Sequence, residues 1–72
     1  MDDYVQERDG RYWVTGTHML LDALVIPFQH GDTVEAIVQE HSHELTIVQA
    51  YGAIACYLQN RSKIDEYLKH NK

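Results

Sequence analysis

The chain is poor in the residues that staple or break a small fold, with one cysteine, one proline and four glycines in 72 residues. A single cysteine, Cys56, rules out an internal disulfide framework and reads as a small apolar helix residue. Dispersed glycines rule out a phosphate-cradling loop. No apolar run approaches the ~18 residues that cross a bilayer, and no charged-then-apolar leader opens the sequence, so a soluble, cytoplasmic protein is expected. Basic residues are scarce too: six Lys and Arg against eleven Asp and Glu give a formal charge of -5. That balance disfavours a chain holding nucleic acid mainly by neutralising phosphates. The most informative absence is local. Thr46 to Gln59, TIVQAYGAIACYLQ, reads as a helix yet contains no Lys, Arg, Asp or Glu.

The remaining composition, 44% hydrophobic and 24% charged without a low-complexity run, is that of a folded globular domain. Residues 1 to 72 are read as a single domain. So short a chain buries only about 60% of the surface its unfolded form exposes, which makes a partner or a second copy a reasonable source of extra burial.

From Tyr4 to Thr15 two β-prone runs flank Asp9-Gly10, a strong hairpin signal. An isolated two-stranded ribbon is marginal in water, so this one is expected to pack on helices or pair its edge. Thr15-Gly16-Thr17 then breaks the strand, with Thr17 available to cap the next helix. Trp13, the largest apolar group, reads as a core or interface anchor.

A helical bundle is expected from 19 to 70. Leu20, Leu21, Leu24, Val25 and Phe28 give the first helix one face, with Pro27 bending or ending it and Gly31 as its C-terminal cap. Asp32 with Glu35 resembles a capping box for a short second helix that ends near His41. Thr46 with Gln49 forms a more regular box for the third. In that third helix Ile47, Val48, Tyr51, Ile54, Ala55 and Leu58 are assigned to the core, and Ala50, Ala53, Cys56 and Tyr57 to a second apolar face. A helix apolar nearly all round is usually buried, so the second face is expected to meet a partner. Gly52 in its middle suggests close packing. A fourth helix, 60 to 69, carries Ile64, Tyr67 and Leu68. The fold class is thus mainly α, an N-terminal β-hairpin followed by three to four helices in a helix-turn-helix-like arrangement.

At GRYWVTGTHMLLDALV, then Gly31, Val34-Glu35-Ala36-Ile37, and Leu45-Thr46 ahead of Val48-Gln49-Ala50, the chain resembles the domain-of-unknown-function 433 family over most of its length. The resemblance implies a bacterial, antitoxin-like protein of the VapB type with a homeodomain-like helical core, from a toxin-antitoxin system. Gly16 and Thr17 match the family's Gly-Thr, whereas His18 stands where an Arg is usual. Neutral imidazole there replaces a permanent forked cation and weakens any phosphate or acidic-partner contact.

The chemistry available is thin. Glu40, His41, His43 and Glu44 invite a metal reading, but their spacing is not that of converging ligands, and solvated loop residues are the reading taken. No spacing supplies an activated nucleophile, so no catalysis, cofactor, metal or small-molecule substrate is expected. Two functions remain. One is protein interaction, as a homodimer or with a toxin partner, through Trp13, Ala50, Ala53, Cys56 and Tyr57. The alternative is a DNA-binding regulator contacting nucleic acid through Arg8, Arg11, Gln49, Arg61 and Lys63, with Lys69 and Lys72 adding to the basic C-terminal cluster.

Overall fold

The computed structural model describes residues 3–70, so Lys72 lies outside the described residues. Asp9 and Gly10 both take positive φ, 57° and 75°, the combination that a two-residue type I′ turn requires and that glycine tolerates best. The turn joins β1 (Val5–Arg8) to β2 (Arg11–Val14) in antiparallel register, Val5 opposite Val14 and Arg8 opposite Arg11. Val5, Tyr12 and Val14 are buried.

The first helix begins later than its apolar spacing suggests. Met19 to Leu21 continue alongside β2, with Val14 N–H donating to Met19 O at 2.9 Å, Leu21 N–H to Tyr12 O at 2.9 Å, and a bridge between Trp13 and Leu20. Thr17 serves the turn rather than a helix: its Oγ1 donates to Val14 O at 2.8 Å and accepts from Met19 N–H at 3.0 Å. Helix α1 therefore spans Asp22–Gln29, with Leu21 at its N-cap. Pro27 sits inside it without ending it. Termination falls to Gly31 at φ 99°, where Asp32 N–H reaches back to Pro27 O and Gly31 N–H to Phe28 O, both at 3.1 Å, a Schellman closure.

Helix α2 (Val34–Glu40) corrects the expected cap by one residue. Thr33, not Asp32, is the N-cap, and its Oγ1 accepts from Ala36 N–H at 3.1 Å. Helix α3 (Ile47–Gln59) has the full capping box: Thr46 Oγ1 accepts from Gln49 N–H at 3.2 Å, and Gln49 Oε1 accepts from Thr46 N–H at 2.9 Å. Helix α4 (Arg61–His70) follows with Asn60 between them.

A hairpin followed by four helices is the observed fold, with α2 and α3 packed on each other as a helix-turn-helix-like pair. One apolar core runs through all of it, from Val5 and Val14 through Leu21, Leu24, Val25 and Ile37 to Ile64 and Leu68. The hairpin is held from the far end of the chain, since Tyr12 meets Tyr67 edge-on at 4.7 Å between ring centroids. Gly52 explains itself by contact: a Cβ there would run into the Tyr4 ring.

Ala at a helix interior is normally about 1 kcal/mol better than Gly. Gly52→Ala is accordingly expected to stabilise the protein less in the native background than when Tyr4 is also replaced by Ala, which removes the collision. Urea denaturation of the four variants checks this, and an equal gain in both backgrounds would show that the contact is not limiting.

Candidate interaction surface

The charge-free helix α3 sits with the opposite face inward from the one expected. Ala50, Ala53, Ile54 and Tyr57, at i, i+3, i+4 and i+7, are buried together with Cys56. Ile47, Val48, Tyr51 and Leu58, assigned to the core on spacing alone, are 40%, 61%, 47% and 49% exposed, and Ala55 is exposed with them. Of the expected core face only Ile54 is buried. Ala50, Ala53, Cys56 and Tyr57 thus form part of this chain's own core and present no surface to a partner.

Both faces have helical periodicity, so hydrophobicity could not choose between them. Side-chain size and hydrogen bonding do. Alanines at 50 and 53 let the backbone of α3 approach its neighbours closely, and Tyr57 is the one large residue on that face whose polar tip finds hydrogen-bond partners on the neighbouring helices. Its hydroxyl accepts from Gln29 Nε2 at 2.9 Å and donates to Asp65 Oδ1 at 2.9 Å, while Gln29 Nε2 also reaches Asp65 Oδ1 at 3.0 Å. This three-way knot ties α1, α3 and α4 and satisfies a phenol that would otherwise be costly to bury.

The outer face is framed by aromatic and acidic neighbours. The Tyr4 ring lies over Gly52 on one flank. On the other, Tyr51 Oη donates to the Glu35 carboxylate of α2, holding the Glu35 pKa below its usual value and raising that of Tyr51. Glu35, read as part of a capping box, is instead the residue that fixes Tyr51 across the α2–α3 seam.

The residues expected to touch nucleic acid are mostly engaged elsewhere. The Arg8 guanidinium lies 4.7 Å from the centre of the Trp13 ring, and Trp13 Nε1–H donates to Arg8 O at 3.1 Å, a cation–π pairing that covers a half-buried indole. Gln49 is held by its capping box, and its Nε2 also donates to Thr15 O at 3.4 Å, beside Gly16. The Gly-Thr turn is thus a docking point for α3 within the fold. Arg61 pairs weakly with Asp65 at 3.9 Å. Arg11 and Lys63 are exposed and take part in none of the ion pairs among the described residues.

Other candidate chemistry does not converge. His41 lies 3.8 Å from Glu44, and among the described residues no group of three or more His, Cys, Asp or Glu is placed to hold a metal ion. A groove of about 310 Å³ between α1 and α4 is lined by Ile26, Gln29, His30, Asp65, Leu68 and Lys69, but Gln29 and Asp65 in it are already hydrogen-bonded to each other and to Tyr57. No helix of the described residues is long and apolar enough to cross a membrane. Comparison with models of known protein families, with curated proteins and with solved structures finds no match in any of the three.

The inverted helix makes opposite demands on two substitutions. Ala53→Glu puts an unpaired carboxylate at a fully buried site and is expected to remove about 3–5 kcal/mol. A chain of this size has roughly 4–11 kcal/mol in total, so much of the population should unfold. Val48→Glu is expected to change stability by no more than about 0.5 kcal/mol, read by chemical denaturation.

Tyr51→Phe removes the donor to Glu35 and should return the carboxyl pKa towards 4.5, measured by carboxyl-carbon NMR. The sign is fixed by the direction of each shift. Glu35 is depressed in the folded state, so the contact is present above ordinary carboxylate pH and is lost as pH falls through the folded pKa. Tyr51 is raised, so the contact is also lost as pH rises through its folded value. An unchanged Glu35 titration in Tyr51→Phe would show that the hydrogen bond does not set it.

Proposed function

We propose that this protein acts by binding another protein through the outer face of α3, in the manner of an antitoxin-like interaction module, and not by catalysis. The observation that carries the reading is the stripe of Ile47, Val48, Tyr51, Ala55 and Leu58, exposed on a helix without a charged side chain. Contiguous exposed apolar surface on a small soluble fold marks an interaction site more often than scattered single residues do. An aromatic among aliphatics is the composition of interface centres.

The class of partner is supplied by the resemblance to the domain-of-unknown-function 433 family, whose members look like antitoxins. A toxin-like protein of basic surface would suit a chain of charge -5, since opposite fields speed encounter and select partners. A second copy of the chain is the other natural occupant. A cytoplasmic setting goes with both readings.

Regulation by DNA binding is the competing reading, and it rests on Arg11, Arg61 and Lys63, which are exposed. Of these only Arg11 and Lys63 stand outside the ion pairs of the described residues. Few phosphate contacts mean a weak complex that salt removes readily.

Co-expression with the product of the adjacent gene tests the interaction reading. The expected result is a complex stable to size-exclusion chromatography that is lost in the Val48→Glu, Leu58→Glu double variant, with the helical circular dichroism of the free chain unchanged. A chain that ignores its neighbour but binds a fragment of its own promoter at low ionic strength, with loss on Lys63→Ala, would replace this reading with the regulator.

A further inference from the structure

The outer stripe of α3 has an order of its own. Val48, Tyr51, Ala55 and Leu58 are spaced three, four and three residues apart, the alternation of a coiled-coil seam, in which apolar residues recur every 3.5 positions on average. The inward face shares this alternation at Ala50, Ala53 and Tyr57, widened by Ile54 and Cys56, as the outer face is widened by Ile47 beside Val48. An outward seam of this kind is the pattern by which one helix packs along another.

The spacing is also the same read from either end. Val48 and Leu58 lie five residues on either side of Ala53, and Tyr51 and Ala55 lie two on either side. We propose that two copies of this chain pair through α3 in antiparallel fashion about a two-fold axis at the level of Ala53. Val48 then meets Leu58 of the second copy, and Tyr51 meets Ala55 of the second copy. The large ring is placed opposite the smallest residue of the seam at both of its inner positions. A parallel pair would instead set Tyr51 against Tyr51 and Ala55 against Ala55, crowding one level and leaving a hole at the next.

Charge and area point to the same occupant. Two chains of charge -5 repel, and their contact costs least where neither presents a charge. The exposed sector of α3 carries no charge of its own, with Gln59 its polar residue besides the Tyr51 hydroxyl, and the nearest carboxylate, Glu35 of α2, is tied to that hydroxyl at its edge. Ile47, Val48, Tyr51, Leu58 and Tyr4 are each 37–61% exposed and together expose roughly 500 Å² per protomer, so a pair buries at most about 1,000 Å², the size of a weak, reversible interface. The symmetric contact is isologous, as in most homodimers, and closes without leaving a sticky end.

The proposal rests on the reading of this face as a protein-docking surface and names its occupant. Sedimentation equilibrium of the intact chain up to millimolar concentration is expected to show a reversible monomer–dimer exchange, with the dissociation constant raised at least about tenfold by Val48→Glu. Disulfide trapping fixes the direction. Residues 48 of the two copies would lie roughly 15 Å apart along an antiparallel seam at 1.5 Å per residue. Val48→Cys alone should therefore stay unlinked, and a mixture of Val48→Cys and Leu58→Cys chains should yield a mixed disulfide. Buried Cys56 stays in place, and the chain without added cysteine is the control.

A strict monomer at every concentration overturns the proposal, as does a dimer indifferent to Val48→Glu. Ready self-linkage of Val48→Cys overturns the antiparallel arrangement. A monomer that still binds the adjacent gene's product through Val48 and Leu58 removes self-pairing and leaves the interaction reading standing, whereas loss of both bindings removes the two together.

Discussion

The structure turns on the size of two side chains. Ala50 and Ala53 are both fully buried, and a larger side chain at a closely packed site has to displace its neighbours. Once they face inward, the rest of α3 is determined, because a rigid helix cannot turn one residue without turning all. Tyr57 is carried in to meet Gln29 and Asp65, Gly52 is brought against Tyr4, and Tyr51 is set beside Glu35. The outward position of Val48 and Leu58 is a consequence of the same choice. Their exposure is the complement of a close contact made on the other side.

That choice is expensive in a domain of 72 residues. Burying a Val, Leu or Ile side chain is worth about 1.5–3 kcal/mol relative to leaving it in water, and four large residues on α3 are left roughly half exposed. A sequence selected only to fold alone would carry Lys, Glu or Gln there, as surface helices do. Helix α4 follows that rule, its stripe of Ile64 and Leu68 backed by Arg61, Lys63, Glu66 and Lys69. The contrast between two successive helices locates the unusual surface on α3 and makes crude overall hydrophobicity a poor explanation of it.

Local chemistry made much of the fold legible in the sequence. Asp9-Gly10 specified the hairpin because few residues accept two consecutive positive φ angles. Thr46 and Gln49 specified the start of α3 because both halves of the box are local hydrogen bonds. Gly31 specified the end of α1 for the same kind of reason. Apart from the one-residue offset of the α2 cap and the turn role of Thr17, the structure departs from the sequence pattern where the deciding partner lies on another element. Leu20 and Leu21 match a helical face, but residues 19 to 21 are hydrogen-bonded along the open edge of β2 instead. The orientation of α3 depends on which face packs closely against the fold, and helical spacing alone fits Ile47, Val48, Tyr51, Ala55 and Leu58 as well as it fits the buried Ala50, Ala53 and Tyr57. The seam at Val48, Tyr51, Ala55 and Leu58 was present as spacing all along, yet it could be recognised as a surface only after Ala50, Ala53 and Tyr57 had been placed inside.

The same reassignment alters how the basic residues are to be weighed. In a helix-turn-helix that reads DNA, the second helix offers long polar side chains to base edges. Here its exposed face offers isoleucine, valine, tyrosine, alanine and leucine, and the one amide near its start, Gln49, is folded back on Thr46 and Thr15. Apolar contacts in the major groove find little beyond the thymine methyl group, so five of them in a row would be stranded against a polar groove edge. The exposed face of α3 is apolar, which fits the proposed protein contact better than a polar groove edge. Where the fold alone leaves two functions equally open, the side chains that α3 turns outward favour the one in which the opposing surface is also apolar.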